Sequence, residues 1–161
     1  MCFADASRSN DTDAHTGYCI YLTEMTENAY RRAVPLRFGS YKQTRASRSP
    51  AGAELIALRT AHAESKYLQS MLCELNILDQ STPILMLTDS QDLQKVIKTT
   101  HKTREPNLVP DLRCLRQEQK AGLVCTRWIE REINIADELT HKGIYPRMLL
   151  DSIRSNRIRT R

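Results

Sequence analysis

Four acids, Asp5, Glu54, Asp89 and Asp137, stand in surroundings unlike those of ordinary surface carboxylates. Asp5 lies in a short apolar run at 1–6, and Glu54 stands where a long helical period begins. Asp89 follows the apolar stretch ILML at 84–87 with only Thr88 between, and Asp137 belongs to a late helical segment. An ionised carboxylate in or beside a buried strand is costly unless it is paired or bound to a cation. Asp89 is the sharpest case, because ligands of open α/β sheets bind outside the carboxyl ends of strands. Singly, each acid has a plain structural reading; Asp89, for instance, could cap a helix. Together they suit one cluster. Like charges packed together cannot all stay ionised without compensation, and hard divalent cations with oxygen ligands supply it. Two Mg²⁺ ions about 4 Å apart, with Mn²⁺ as a substitute, activate a water and stabilise the leaving oxygen of an in-line phosphodiester displacement. That chemistry requires no nucleophilic Ser or Cys. No Ser/His/Asp set, GxxxxGK[ST] or GxGxxG motif stands against it.

The elements that must position these acids follow from a period count. Residues 1–6, 17–22 (GYCIYL) and 36–42 read as three strands joined by hairpin-like connections, hence antiparallel. A helix follows from Ala53 to about Leu75, with Ala57, Ala61, Leu68, Leu72 and Leu75 on one face. The run 84–87 is a central strand buried on both faces. Asp89 or Ser90 then caps a short helix carrying Leu93, Val96 and Ile97. Residues 108–121 are helical with Gly122 as a stop, 123–129 (LVCTRWI) form another strand, a helix from Asn134 or Ile135 runs through Asp137, and 147–157 form a last amphipathic helix. This is an α/β mixed sheet of five strands, three antiparallel strands first and parallel ones after, flanked by helices. Nothing marks a boundary, so 1–161 reads as a single domain with a basic C-terminal helix or tail at 146–161.

The net charge is +5 and unevenly spread. Residues 28–50 carry six basic side chains (Arg31, Arg32, Arg37, Lys42, Arg45 and Arg48) and no acid, and 147–161 carry five Arg against Asp151. Basic blocks beside an acidic centre suit a polyanion handled near metal ions. The five cysteines include no CxxC pair, which argues against a disulfide framework or zinc site and for small buried hydrophobes. No apolar run approaches the roughly 18–20 residues of a membrane span, and no signal segment opens the chain, so the sequence reads as intracellular: cytoplasm, virus-like particle or nucleus.

The motifs FADAS (3–7), TGYCIYL (16–22), SRSPAGAELIAL (47–58), LTDSQDL (87–93), RWIEREINIADELTH (127–141) and MLLDSIRSNRI (148–158) span nearly the whole chain. In this order they resemble the ribonuclease H domain that ends copia-type LTR retrotransposon polyproteins. The resemblance implies a ribonuclease H-like fold and cleavage of the RNA strand of an RNA–DNA hybrid. It also implies metal-binding acids at Asp5, Glu54, Asp89 and Asp137, and a reverse transcriptase domain of the same polyprotein as partner. Transposases and retroviral integrases share the fold but lack an acid at the Glu54 position. Proofreading-type exonucleases carry Asp-x-Glu in the first strand, where this chain has Asp5-Ala6-Ser7.

One departure stands out. Many ribonucleases H carry a loop histidine shortly before the last Asp, and the segment between Trp128 and Asp137 has none. His101 and His141 are the candidates to replace it. Substrate grip falls to Lys42, Arg45, Arg48, Lys102 and Arg104 on phosphates, with Ser7, Ser90 and Gln91 beside the acids as candidates for the RNA strand. Trp128 reads as a core or sheet-face residue before a stacking one. The competing readings are a silent nucleic-acid-binding scaffold of the same fold and a junction resolvase. Retention of all four acids favours the active hybrid nuclease.

Overall fold

The computed structural model describes residues 1–8, 14–24, 28–99, 105–141 and 143–160. Strands β1 (Cys2–Arg8), β2 (Ala14–Thr23) and β3 (Tyr30–Lys42) form an antiparallel meander rich in aromatic and β-branched residues. β4 (Ile84–Thr88) lies parallel to β1 on its other side, and β5 (Val124–Trp128) lies parallel to β4. A short β6 (Arg157–Arg159) pairs antiparallel with the start of β3, giving six strands in the order β5-β4-β1-β2-β3-β6.

The expected mixed sheet is therefore present with one strand more than the expected five. Helix α4 (Arg147–Ser155) stops at Asn156, which takes the left-handed conformation at φ 50°. Asn tolerates that region where most residues do not. The chain then turns buried Ile158 inward between exposed Arg157 and Arg159. Three residues of alternation are too few to separate from the tail of a basic amphipathic helix. β3 also begins earlier than its 36–42 pattern indicated. Its first part alternates buried Arg31 and Ala33 with exposed Tyr30, Arg32 and Val34, and the ladder to β2 shifts register beside Pro35.

Helix α1 (Pro50–Glu74) starts three residues before Ala53, because Ser49 caps it and Pro50 occupies the first turn. The Ser49 hydroxyl accepts from Gly52 N at 3.0 Å. It is buried on Leu55, Leu58, Ala61 and Ser65, whereas Leu75, expected on the apolar face, is exposed. α2 (Gln91–Lys98) is capped by Ser90, and α3 (Val109–Lys120) ends before Gly122, which has φ +74°. Arg59 and His62 of α1 meet Asp111 and Glu118 of α3 at 3.5 and 2.7 Å.

Both faces of the sheet are covered. On the α1 side Cys2, Ala4, Ile20 and Met86 pack with Leu55, Leu58, Leu112 and Leu115. On the other side Phe3, Cys19, Tyr21 and Leu87 pack with Ile133, Ile135, Leu149 and Ile158. Alternate residues of β1 and β4 thus serve opposite cores, which is why ILML shows no polar position. All five cysteines are free; Cys2 and Cys19 are buried as expected, while Cys125 is exposed. Among the described residues, no helix is long and apolar enough to cross a membrane.

Candidate active site

The parallel register of β1 and β4 pairs Cys2 with Met86 and Phe3 with Leu87. Two residues further on are Asp5, within β1, and Asp89, one residue past the end of β4. Because side chains alternate with period two, Asp5 shares the Phe3 face of β1, and Asp89 leaves the adjacent parallel strand just beyond it. Asp5 is buried, 4% exposed, and Asp89 half-buried.

Asp137 arrives from the chain's far end on a 3-10 turn, Asp137–Leu139, not on the α-helix expected through it. Asn134 explains the difference. Its side chain is fully buried, donates to Ala4 O at 3.3 Å and accepts from Ala136 N at 3.2 Å, which spends this segment's bonds on the sheet rather than on an α-helical ladder. The turn lies directly on the strands. Ser7 Oγ of β1 donates to Thr140 O at 2.7 Å, and Ser40 Oγ of β3 donates to Leu139 O at 2.5 Å. Gly17 of β2 makes room for it: a Cβ there would lie 2.6 Å from Ala136 O and 2.8 Å from Thr140 Cγ2.

Carboxylate oxygens of Asp5, Asp89 and Asp137 all lie within 4.8 Å of one another. Glu54, half-buried in the first turns of α1, is not within that trio's spacing but is electrostatically coupled to all three acids, and Ala6 N–H donates to its carboxylate. Burial first, then the charges of Asp5 and Asp89, pushes the Glu54 carboxyl up to about 9. Burial and the neighbouring Asp89 raise Asp5 to about 6, against the Thr140 hydrogen bond that lowers it. Asp89 is also raised, chiefly by burial. Carboxylic acids held this far from their usual range are a cluster short of positive charge. All of the donors are hard carboxylate oxygens converging from three directions, so the set fits a divalent cation such as Mg²⁺.

Two neighbours escaped the sequence reading. Arg131 donates to Asp137 Oδ1 from Nε at 3.0 Å and from Nη2 at 2.9 Å. It lies in the segment that lacks a histidine, and only the absence of His there drew attention to the stretch. Glu105, 3% exposed, accepts from Arg48 N, Ser49 N and Ser49 Oγ, fastening the start of the helix that carries Glu54. An acid in a polar loop gives no signal for this role.

The other candidates are placed as follows. Ser90 caps α2 through Leu93 N at 3.3 Å, and Gln91 is the exposed first residue of that helix. Lys42 ends β3 on the surface, and Arg48 is exposed before α1. Arg45 pairs with Asp111 at 2.6 Å and donates to Asn107 O at 3.0 Å, so part of its charge is compensated within the chain. His141 places Nδ1 3.0 Å from Asp137 O and 3.1 Å from Thr140 Oγ1. Trp128 is 43% exposed, which removes the core reading, and its indole N–H donates to Asp89 O at 2.9 Å. His101, Lys102 and Arg104 lie outside the described residues.

No protein-family model matches the sequence, and no curated protein matches it at a significant level. Solved structures do. LC11-RNase H1 in complex with an RNA/DNA hybrid superposes with a TM-score of 0.62 and 20% identity, over 89% of this chain and 94% of that one. The chain has the ribonuclease H-like fold. The N-terminal RNase H domain of Rv2228c from Mycobacterium tuberculosis, solved as a fusion with maltose binding protein, gives a TM-score of 0.60 and 18% identity over 96% and 93%. A further structure of LC11-RNase H1, isolated from compost by a metagenomic approach, gives 0.59 and 18% over 89% and 93%. In the ribonuclease H-like sheet of this chain, the acid cluster joins Asp5 of β1 to Asp89, just past the end of its neighbour β4.

Proposed function

We propose that this chain is a metal-dependent endonuclease that hydrolyses the RNA strand of RNA–DNA hybrids, acting as one ribonuclease H domain over residues 1–161. The observation that carries the reading is the convergence of Asp5, Asp89 and Asp137 within 4.8 Å, with Glu54 coupled to them, on this fold. LC11-RNase H1, which shares the fold, was solved with an RNA/DNA hybrid bound. The motif resemblance extends the proposal to the ribonuclease H part of a copia-type polyprotein, with the reverse transcriptase domain as partner.

In this reading Asp5, Asp89, Asp137 and Glu54 hold divalent ions, Mg²⁺ with Mn²⁺ as substitute. Bound there, such ions supply an activated water and charge stabilisation at the leaving oxygen. The protein's own contribution is placement. The β1–β4 register fixes Asp5 beside Asp89, the 3-10 turn delivers Asp137, and Glu105 fixes the helix start that presents Glu54. The Glu54 carboxyl, pushed up to about 9, would keep its proton at neutral pH while no cation is present and would give it up to one, so loading would be coupled to proton release. Ser7, Ser90 and Gln91 flank the acids and are suited to 2′-hydroxyls; Lys42, Arg45 and Arg48 are suited to phosphates.

The test is a panel of labelled RNA–DNA hybrid, duplex DNA, duplex RNA and four-way junction, each with Mg²⁺, Mn²⁺ or EDTA. Hybrid-selective cutting that EDTA abolishes is the expected result. Binding of the hybrid without cutting under either metal would replace the nuclease with a scaffold, and selective cutting of the junction would make it a resolvase.

A further inference from the structure

The Thr140 side chain is buried, 4% exposed, at the junction of the 3-10 turn and β1. Its Oγ1 lies 2.8 Å from Asp5 Oδ2, 2.9 Å from Asp137 O and 3.1 Å from His141 Nδ1. One hydroxyl has one proton, and Asp5 Oδ2, Asp137 O and, in one tautomer, His141 Nδ1 can each accept it. A bond to a carboxylate is roughly twice as strong as one to a neutral carbonyl, so the proton belongs to Asp5. The lone pairs are then open to a proton on His141 Nδ1, which also lies 3.0 Å from Asp137 O. The Thr140 backbone is itself held. Ser7 Oγ grips its carbonyl, and its Cγ2 fills the space that Gly17 leaves by lacking a Cβ.

We infer that Thr140 is a positioning residue of the metal site. Its hydroxyl holds Asp5 Oδ2, fixes the rotation of that carboxylate, and leaves Oδ1 as the oxygen offered to a cation. The same side chain ties the turn bearing Asp137 to the strand bearing Asp5, so two ligands from opposite ends of the sequence keep a constant separation. This inference rests on the metal-binding reading of the cluster. Groups that orient metal ligands in this manner typically change metal affinity 10–100-fold when removed.

The experiment compares Thr140→Val, which keeps shape and loses the hydroxyl, with Thr140→Ser, which keeps the hydroxyl and loses a methyl. The probe is Mn²⁺, titrated calorimetrically into the intact chain without nucleic acid. Thr140→Val is expected to bind Mn²⁺ at least about tenfold more weakly, and Thr140→Ser within about threefold of wild type. If Thr140→Val does not fold, Thr140→Cys takes its place, since a thiol is a weak donor. Equal Mn²⁺ affinity in wild type and the hydroxyl-free variant overturns the inference and leaves the proposed nuclease intact. Equal weakening by Ser and Val assigns the effect to packing and also overturns it. A wild type that binds no Mn²⁺ overturns the metal-binding reading and this inference together.

Discussion

Arg131 directs both Nε and Nη2 at one oxygen of Asp137, Oδ1, at 3.0 and 2.9 Å. Its positive charge also acts on Asp5 and Asp89, lowering both carboxyls against the effects that raise them. The guanidinium is therefore the cluster's internal counter-ion, mounted on a solvent-exposed side chain. Arg131→Gln removes a cation that competes for Asp137. Exposed pairs of this kind contribute up to about 1 kcal/mol, so divalent affinity should rise by up to about fivefold. The metal-free variant should melt below wild type, and added Mn²⁺ should stabilise it by more. Calorimetric Mn²⁺ titration of both proteins decides it; weaker binding by the variant would mean that Arg131 orients Asp137 instead.

The Glu54 carboxyl sits at about 9 in the folded chain against an ordinary value of 4.5. Above about pH 4.5 an unfolded chain has released this proton while the folded chain keeps it. Stability from this group is full below the unfolded value and is lost as pH rises towards 9. Other groups titrate in the same range, including His62, pushed down to about 4 by burial and then by Arg59. The clean observable is therefore a difference. Glu54→Gln has no proton to lose, so in EDTA its melting temperature should climb above that of wild type progressively between pH 5 and 9. The gap should reach several degrees, since 1 kcal/mol moves Tm by about 2–4 °C in a chain of this size. Saturating Mn²⁺ should shrink it. A gap independent of pH would place Glu54 outside the cluster's field.

Much of this arrangement is legible before any coordinates. The apolar run 84–87, followed after Thr88 by Asp89, requires a central strand with an acid just past its carboxyl end, and the structure has it. The switch from period two to helical period finds α1 and the acid near its start. What escapes is whatever depends on partners distant in sequence. Asn134 draws its segment onto Ala4, 130 residues away, and turns an expected helix into a single 3-10 turn. β6 is three residues long and exists only because β3 offers an edge. Arg45, taken as one basic residue in a block, meets Asp111 on a helix that local pattern cannot place beside it.

Gly17 faces Asp5 across the β1–β2 ladder. Gly17→Ala would put a methyl 2.6 Å from the Ala136 carbonyl, a backbone atom without a flexible end. Overpacking of this kind costs about 1–3 kcal/mol, so Tm should fall by several degrees. Because the displaced turn carries Asp137, Mn²⁺ affinity should fall as well. Gly39→Ala is the control: the three atoms nearest its methyl all belong to the Tyr18 side chain, the first 2.7 Å away, and β3 bears none of the four acids. It should lower Tm and leave Mn²⁺ affinity unchanged. If the two variants lose Tm alike and neither loses affinity, the close approach at Gly17 does not set the ligand geometry.

Asp89→Asn separates enzyme from scaffold. The substitution keeps size and hydrogen-bonding capacity and removes the negative charge that would hold a divalent ion. The Asp89 carboxylate accepts from its own N–H and from the Asn134 side chain, bonds that an Asn oxygen can also accept, while Trp128 bonds to the Asp89 backbone carbonyl and Ser90 caps α2. Folding should therefore persist. The metal-free variant should even melt above wild type, because the charge it lacks raises both Asp5 and Glu54. Hybrid binding in EDTA, followed by anisotropy of a labelled duplex, should be unchanged or tighter, since a negative charge near the phosphates is gone. Cleavage should drop by several orders of magnitude with Mg²⁺ and with Mn²⁺, as metal-stabilised charge is worth several kcal/mol in the transition state and each 1.36 kcal/mol is tenfold in rate. A variant that cuts at the wild-type rate would remove Asp89 from the chemistry. A variant that loses binding and cutting together would show that the carboxylate serves the fold or the grip on substrate, and not the reaction.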